Sequence, residues 1–351
     1  MIAYCSKALL LHVYPNAEIQ VIIRKECAKP EIIKELNMSD VVVLAGGPAY
    51  TNKVWDPLVS VLDSIHTKIF ALGVGWYGRN ITDEQIYTYI LDENVKILLD
   101  RVTADTKVLG CRDWHTVRVL KNNGYANTVM TGCPVWFAPG AIEQPTKLLK
   151  FEKVCISDCN RVEINEEQAL DLIRYMRNHF SHADMHMLFH RGILEDYYTS
   201  SAKAQGYARL VSEAEKLNIH VSDISYGSQG MQIYDECDLH VGYRVHAHIY
   251  TLSRRKYSIL LEEDARGGGV NEALGLPHIF AYSNVLSTHT PDTPLYASYN
   301  RYAINALDDA LGRLEKGQLP FDDAFSRIAE TYNVMLEHIQ SIASMVKPNN
   351  G

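Results

Sequence analysis

The sequence predicts an α/β protein made of two Rossmann-like, doubly wound domains facing a cleft, and three observations predict it. Short apolar runs alternate with amphipathic stretches of helical period along almost the whole chain. This is the pattern of strands and helices in a parallel sheet buried on both faces. Glycines close the apolar runs, as in DVVVLA before Gly46-Gly47 and KIFALG ending at Gly73. The rhythm breaks over residues 139–152 (PGAIEQPTKLLKFE), where turn residues occur without a period, and then restarts. The expected division is residues 1–145 as the N-terminal domain, 152–300 as the C-terminal domain and 301–351 as C-terminal helices, the last long enough to lie back across the first domain.

In the first half, Ile2, Cys5, Leu9 and Val13 recur at helical spacing until Pro15, so residues 1–14 read as a helix. Residues 17–23 (AEIQVII) read as a short strand, 30–36 as a short helix, and 40–45 as a buried strand ended by Gly46-Gly47-Pro48. A helix over 54–65 leads to a strand at 68–73, with Gly75 and Gly78 beyond it. Residues 82–99 have the period of one helix, and 107–111 (KVLGC) read as a strand. Arg112-Asp113 then open a helix over 114–122 with Gly124 as its C-cap, and a strand at 128–131 precedes Gly132-Cys133-Pro134.

The second half repeats the pattern. A strand at 153–157 and a loop at 158–161 lead to a helix over 165–180, with Glu166 and Glu167 in its first turn, where carboxylates suit the helix dipole. A strand at 185–189 ends in His190-Arg191-Gly192, and a helix over 202–217, a strand at 219–224 and a short helix at 227–234 follow. Residues 237–277 read as strand, Arg-x-His turn, helix, strand, glycine-rich turn and helix. Two chain reversals place Arg244, His246 and Arg266 near strand ends, where open α/β sheets hold ligands. A strand at 279–281 and amphipathic helices over 303–316 and 322–345 complete the chain.

Composition narrows the function. A chain of 351 residues, 47% hydrophobic and 22% charged, suits two globular domains. The net charge of −8 offers no basic field for nucleic acid or acidic lipid, so an anion site has to be built locally. No run reaches the roughly eighteen apolar residues of a membrane span. Seven scattered cysteines do not suggest a disulfide framework and point to a reducing cytoplasm. Cys155 and Cys159 read as packing residues. His179, His182, His186 and His190 cross a helix end, a turn and a strand, so they cannot share one face, and no metal is expected. Trp55, Trp76, Trp114 and Trp136 read as core or cleft lining.

Arg244-x-His246 joins the side chain that pairs carboxylate or phosphate bidentately to the one best suited to proton transfer near neutrality. A capping Arg and a buried, backbone-satisfied His explain the pair equally well. Arg266-Gly267-Gly268-Gly269 follows a strand and precedes a helix, where backbone N–H groups can approach an anion. A mobile turn is the plainer reading. Arg112-Asp113 has the same placement in the first half, with an Asp cap and a solvated Arg as the alternative. Asp158 and Arg161 occupy a strand-to-helix loop, the place of site residues and of ordinary caps alike.

Val241-Gly242-Tyr243-Arg244-Val245-His246-Ala247, the Arg266 glycine turn and Leu274-Gly275 resemble the signature of the polysaccharide pyruvyl transferase family. Residues 40–47 and 72–75, Arg112-Asp113 and Thr131-Gly132-Cys133-Pro134 stand in the family's order, and the resemblance spans roughly residues 6–282. It implies the two-domain GT-B architecture, with the donor held mainly by the second domain. Family members begin with a strand and a Gly-Asp loop, whereas this chain begins at the first helix and has Pro48 where a further glycine is common. The resemblance therefore predicts that this first strand and loop are missing.

The implied activity is transfer of the pyruvyl group of phosphoenolpyruvate onto two hydroxyls of a cell-surface polysaccharide or its lipid-linked precursor, giving a cyclic ketal. Phosphoenolpyruvate is then a co-substrate, with no cofactor and no metal, and the work is done in the cytoplasm at the inner face of the membrane. Under the resemblance His246 is the proton-transfer residue, and Arg244 and Arg112 hold the anion. Arg266 with Gly267 and Gly268 is added on the physical argument, as are Asp158 and Arg161 as substrate-binding residues. Two rivals stay open. One is a nucleotide-sugar-dependent glycosyltransferase, for which Glu262, Glu263 and Asp264 would supply carboxylates. The other is a catalytically impaired glycan- or anion-binding homologue.

Overall fold

The computed structural model describes residues 1–47, 50–51, 54–78, 83–146, 149–227, 229–283 and 299–346. Pro48, Thr82, Lys147, Leu148 and Ser228 of the segments anticipated above lie outside the described residues. The chain forms two compact units, Met1–Pro139 with Arg327–Gly351, and Gly140–Ser326.

The first unit holds α1 (Ile2–Val13), α2 (Pro30–Met38), β1 (Val42–Ala45), α3 (Asp56–Val59), β2 (Ile69–Leu72), α4 (Asp83–Thr88), α5 (Glu93–Thr106), β3 (Leu109–Cys111), α6 (Trp114–Asn122) and β4 (Thr128–Met130). β1 pairs with β2 and β3 with β4, all parallel, and a parallel bridge between Val74 and Cys111 links the two pairs. Ile69, Phe70 and Leu72 of β2 and Leu98 and Leu99 of α5 are fully buried. Such strands read as unbroken apolar runs because helices cover both faces.

Three expected elements differ. Residues 17–23 form no strand: Val21 and Ile23 are 56% and 60% exposed, and an apolar run without a ladder partner has nothing to hold it extended in a sheet. The expected helix over 82–99 is two helices. The Asp92 side chain accepts from the Asn94 N–H and starts α5 afresh. The helix over 54–65 is likewise split, into α3 and a 3₁₀ turn at Leu62–Ser64. Trp76 and Trp136 are buried, whereas Trp114 is 42% exposed.

The second unit holds β5 (Lys153–Ser157), α7 (Val162–His179), β6 (Asp184–Phe189), α8 (Ser201–Lys216), β7 (His220–Asp223), α9 (Ile233–Glu236), β8 (Leu239–Gly242), α10 (Val245–Ser253), β9 (Tyr257–Glu262), α11 (Ala265–Leu274), β10 (Ile279–Phe280) and α12 (Ala303–Glu315). α13 (Phe321–Gln340) begins here and continues into the first unit. There His338 Nε2 donates to the Ala71 carbonyl at 2.9 Å and stacks on Phe70. A Cβ at Gly110 would lie 2.4 Å from His338 Nε2, so only glycine fits β3 at that point.

The six strands of the second unit lie in the order β10-β9-β8-β5-β6-β7, all parallel. Counted along the chain this is the doubly wound order 3-2-1-4-5-6, whose switch point falls between the first and fourth strands. Those strands are β5 and β8, registered from Val154↔Leu239 to Ser157↔Gly242. Adjacency at this point also corrects the reading of Cys155 as a packing thiol. Its sulfur is in contact with that of Cys237, with Cα atoms 6.2 Å apart, although 82 residues separate the two in sequence.

Candidate functional site

The C-terminal ends of β5, β8 and β9 bring most of the expected site residues of the second unit to one edge. β8 ends at Gly242, whose φ of +152° belongs to glycine, and a Cβ there would sit 2.5 Å from Ser157 Oγ and 2.6 Å from the Ser157 carbonyl. The close approach lets β5 hold the turn that follows. The Arg244 N–H donates to Ser157 Oγ at 3.1 Å. Its guanidinium donates through Nε to Asp158 Oδ1 at 2.7 Å and through Nη2 to Asp158 Oδ2, while Nη1 reaches Asn160 Oδ1 at 3.3 Å. Asp158 is fully buried and also accepts from the His190 N–H. Burial opposes the charge on Arg244, but Asp158 outweighs it and raises the Arg244 pKa above its ordinary value.

The Arg244 fork is thus matched to a carboxylate within the protein. The structure brings together Arg244 and Asp158, two of the expected residues, as a bidentate pair. His246 stands in the first turn of α10, half-buried, and Arg244, the residue ahead of the helix, does not cap it with its own side chain. α10 therefore presents an N-terminus beside the switch point, where the helix dipole favours an anion. The neighbouring helix starts are occupied. Glu263 accepts from the Asn160 and Arg161 N–H groups ahead of α7, and Asp264 caps α11 by accepting from the Arg266 N–H. Burial raises the Glu263 pKa, against the lowering effect of Arg244.

Arg266 folds back on the same Asp264, with Nε at 2.9 Å and Nη2 at 2.7 Å from its two oxygens. The glycines after it are not a turn. Asp264 starts the helix one residue before Ala265, so Gly267, Gly268 and Gly269 lie buried inside α11. A Cβ at Gly267 would lie 2.9 Å from Leu260 Cδ2 and 3.1 Å from Glu262 Cγ, so this glycine serves close packing of α11 on β9. The Arg161 guanidinium lies over the Tyr282 ring, 5.9 Å from its centre.

Arg112 belongs to the first unit. Its guanidinium is buried, not solvated, donating to Asp113 Oδ2 at 2.9 Å and to the Trp76 carbonyl at 2.7 Å. Gly75 has no room for a side chain because this guanidinium occupies the place of its Cβ. Asp113 caps α6 through the Thr116 N–H at 2.8 Å, the plainer role weighed for it.

Sequence reasoning missed Ser157 and His240 as parts of this edge, and weighed His190 only for a metal and Glu263 only for a nucleotide sugar. Polar residues inside apolar strands were the available signal: Ser157 in KVCIS and His240 in LHVG. The four histidines at 179, 182, 186 and 190 find separate surroundings, His182 being exposed. His179 meets Glu315 at 2.8 Å and His186 meets Asp184 at 3.1 Å, while His190 lies on the Tyr234 hydroxyl at 2.7 Å. Among the described residues no group of three His, Cys, Asp or Glu side chains gathers to hold a metal ion. Among them, too, no helix is long and apolar enough to cross a membrane.

Burial depresses the pKa of His190, with the Arg244 and Arg191 charges acting in the same direction. Burial likewise depresses His240 and takes His248 down to about 3. In the unfolded chain these rings bind protons below about pH 6.5, and in the folded chain they do not. Their contribution is therefore full above that pH and lost as pH falls. Three such rings remove about 4 kcal/mol of stability between pH 7.5 and 5.5. Denaturant unfolding at the two pH values measures the loss; equal stability would mean that the rings are charged in the folded protein.

Comparison with known proteins adds a family and a fold. The model of the family described as polysaccharide pyruvyl transferase matches residues 2–264. No curated protein matches the chain in sequence. Among solved structures, the chain is similar to S. aureus MnaA in its co-structure with UDP. The TM-score is 0.56 at 11% identity, over 97% of this chain and 87% of that one. It is also similar to a Listeria monocytogenes protein described as a candidate UDP-N-acetylglucosamine 2-epimerase, with a TM-score of 0.50 at 9% identity, over 91% and 78% of the two chains. At such identities the likeness is one of fold, the α/β architecture of the two-domain GT-B type.

Proposed function

Because the chain belongs to the polysaccharide pyruvyl transferase family, we propose that it moves the pyruvyl group of phosphoenolpyruvate onto two hydroxyls of a saccharide, forming a cyclic ketal and releasing phosphate. The observation that supports this most is the start of α10, which Arg244 leaves without a side-chain cap of its own and which carries His246 in its first turn at the switch point of a parallel sheet. A helix N-terminus favours a doubly anionic donor, and a half-buried imidazole next to it suits proton transfer.

His246 gives a proton to the methylene carbon of phosphoenolpyruvate, which becomes a methyl group and leaves an oxocarbenium-like centre at C2. The first sugar hydroxyl bonds to C2, and its proton returns to His246. The second hydroxyl then bonds to C2 as the C2–O bond to phosphate breaks, and its proton leaves with the phosphate. One phosphoenolpyruvate and two hydroxyls give one ketal and one inorganic phosphate. Arg244, tied to Asp158, lends the turn its shape and a dipole, and Arg161 and Arg266 are the further cations of this edge. No step of this sequence calls on a metal or an organic cofactor. The acceptor is a cell-surface glycan or its lipid-linked precursor, and the cytoplasmic face of the membrane is where such a precursor is met.

The UDP of the MnaA co-structure favours a second reading, a nucleotide-sugar-dependent transferase. Against it, the carboxylates that would bind a ribose are engaged inside the protein. Glu262 accepts from Asn271 Nδ2 at 2.6 Å and lies 2.9 Å from His278 Nδ1, while Glu263 holds the start of α7. A thermal-shift panel separates the readings. At a hundredfold excess over Kd the true donor adds about 2.7 kcal/mol of stability. Phosphoenolpyruvate is expected to raise Tm and UDP-sugars to leave it unchanged. The reverse result supports the second reading. Stabilisation by phosphoenolpyruvate without turnover points to an impaired binding homologue.

A further inference from the structure

We infer that Ser157 and His240 are positioning residues: through them a one-way chain of buried hydrogen bonds, anchored on Glu262, fixes the turn that presents Arg244 and His246. The links cross the sheet from β5 through β8 to β9 and on into α10 and α11. Ser157 Oγ lies 2.9 Å from His240 Nε2, and His240 Nδ1 lies 2.7 Å from Ser258 Oγ. Ser258 Oγ is also 2.8 Å from His248 Nδ1, and His248 Nε2 is 3.1 Å from Asn271 Oδ1. Asn271 Nδ2 reaches Glu262 Oε1 at 2.6 Å and the Pro277 carbonyl at 3.2 Å. Ser157, His240, His248, Ser258, Glu262 and Asn271 are all at most 1% exposed.

The direction follows from what each atom can do. A carbonyl oxygen only accepts, so the Asn271 group facing Pro277 is its NH₂, and the group facing His248 is its oxygen. His248 therefore donates from Nε2, and as a neutral ring it accepts at Nδ1. Ser258 has one proton and gives it to His248, so its oxygen accepts from His240 Nδ1–H. His240 then accepts at Nε2, where the Ser157 hydroxyl donates. Ser157 is left with an oxygen that accepts, and it accepts the Arg244 N–H. Every donor points away from the turn and towards Glu262. Buried polar groups are costly unless each is satisfied, and here each bond sets the orientation of the next.

The mechanical consequence is local. Ser157 holds the backbone of Arg244 while Asp158, the next residue, holds its side chain. α10 starts one residue later, so the chain fixes the direction in which His246 enters the site. The effect on turnover rests on the reaction proposed above; the chain itself does not.

Proteins labelled with ¹⁵N-histidine and ¹⁵N-arginine test it. In the unliganded full-length protein, two-bond ¹⁵N–¹H correlations are expected to show His240 with its proton on Nδ1 and His248 with its proton on Nε2, both neutral at pH 7. Ser258→Ala cuts the chain at its middle. His240 is then expected to shift towards the Nε2–H tautomer and the Arg244 amide resonance to move. In the ketal-forming assay the variant is expected to lose about fivefold in kcat, the scale of one hydrogen bond, with KM for phosphoenolpyruvate changed less than twofold. Both rings in the same tautomer, or either ring charged, overturns the inference, and so does a folded Ser258→Ala protein whose His240 and Arg244 signals stay in place. The wild-type tautomers decide the matter even where the variant does not fold. Opposed tautomers in a protein that forms no ketal count against the reaction and support the chain.

Discussion

Replacing Asp158 by alanine is expected to destabilise the protein by about 3–5 kcal/mol, because it leaves the Arg244 guanidinium buried without its counter-charge. Asp158 is fully buried and the Arg244 side chain is 12% exposed, so water cannot take over the lost hydrogen bonds. Asn160 Oδ1 remains within reach, but a neutral acceptor does not balance a cation. The double variant Asp158→Ala/Arg244→Met removes both charges and is expected to be more stable than Asp158→Ala alone. Denaturant unfolding of the three proteins reads the difference. A single variant within about 1 kcal/mol of wild type, with no recovery in the double, would show that the pair is not a buried unit.

The second large effect is on chemistry. His246→Ala is expected to lower the rate of ketal formation by a factor of about 10²–10⁴, the range for loss of a general acid–base group, with Tm unchanged. The side chain is half-buried in the first turn of α10, so its removal leaves no large cavity. Phosphoenolpyruvate binding should persist in the variant, since the N–H groups of α10 are untouched. Ketal formation at the wild-type rate would remove His246 from the mechanism.

The β8–α10–β9 segment was readable in the sequence because its strands are buried on both faces and so appear as plain apolar runs. The position of Arg244 at a strand end followed from that. What the Arg244 guanidinium does was not readable, since its partner Asp158 is 86 residues away and only the β5–β8 pairing brings them together. The same long-range adjacency hid the meeting of Cys155 and Cys237 and the link from Ser157 to His240. Local chemistry misled in three places. Three glycines after Arg266 suggest a mobile turn, but the Asp264 cap and the tight fit of Gly267 on Leu260 make them helical. The β-forming run at 17–23 has the composition of a strand without a neighbouring ladder to join. Helical period ran through Asp92, where one side-chain cap divides two helices.

The most direct test of the proposed reaction uses phosphoenolpyruvate labelled with ¹³C at its methylene carbon. The acceptor is the cell-surface polysaccharide of the organism that encodes the chain, stripped of any ketal by mild acid. With the wild-type protein, the vinyl ¹³C signal is expected to fall as a ketal methyl signal rises on the polysaccharide, one inorganic phosphate appearing for each ketal, and His246→Ala is expected to suppress both. Transfer of a sugar from a UDP-sugar to the same acceptor, with the vinyl signal of phosphoenolpyruvate intact, would contradict the account.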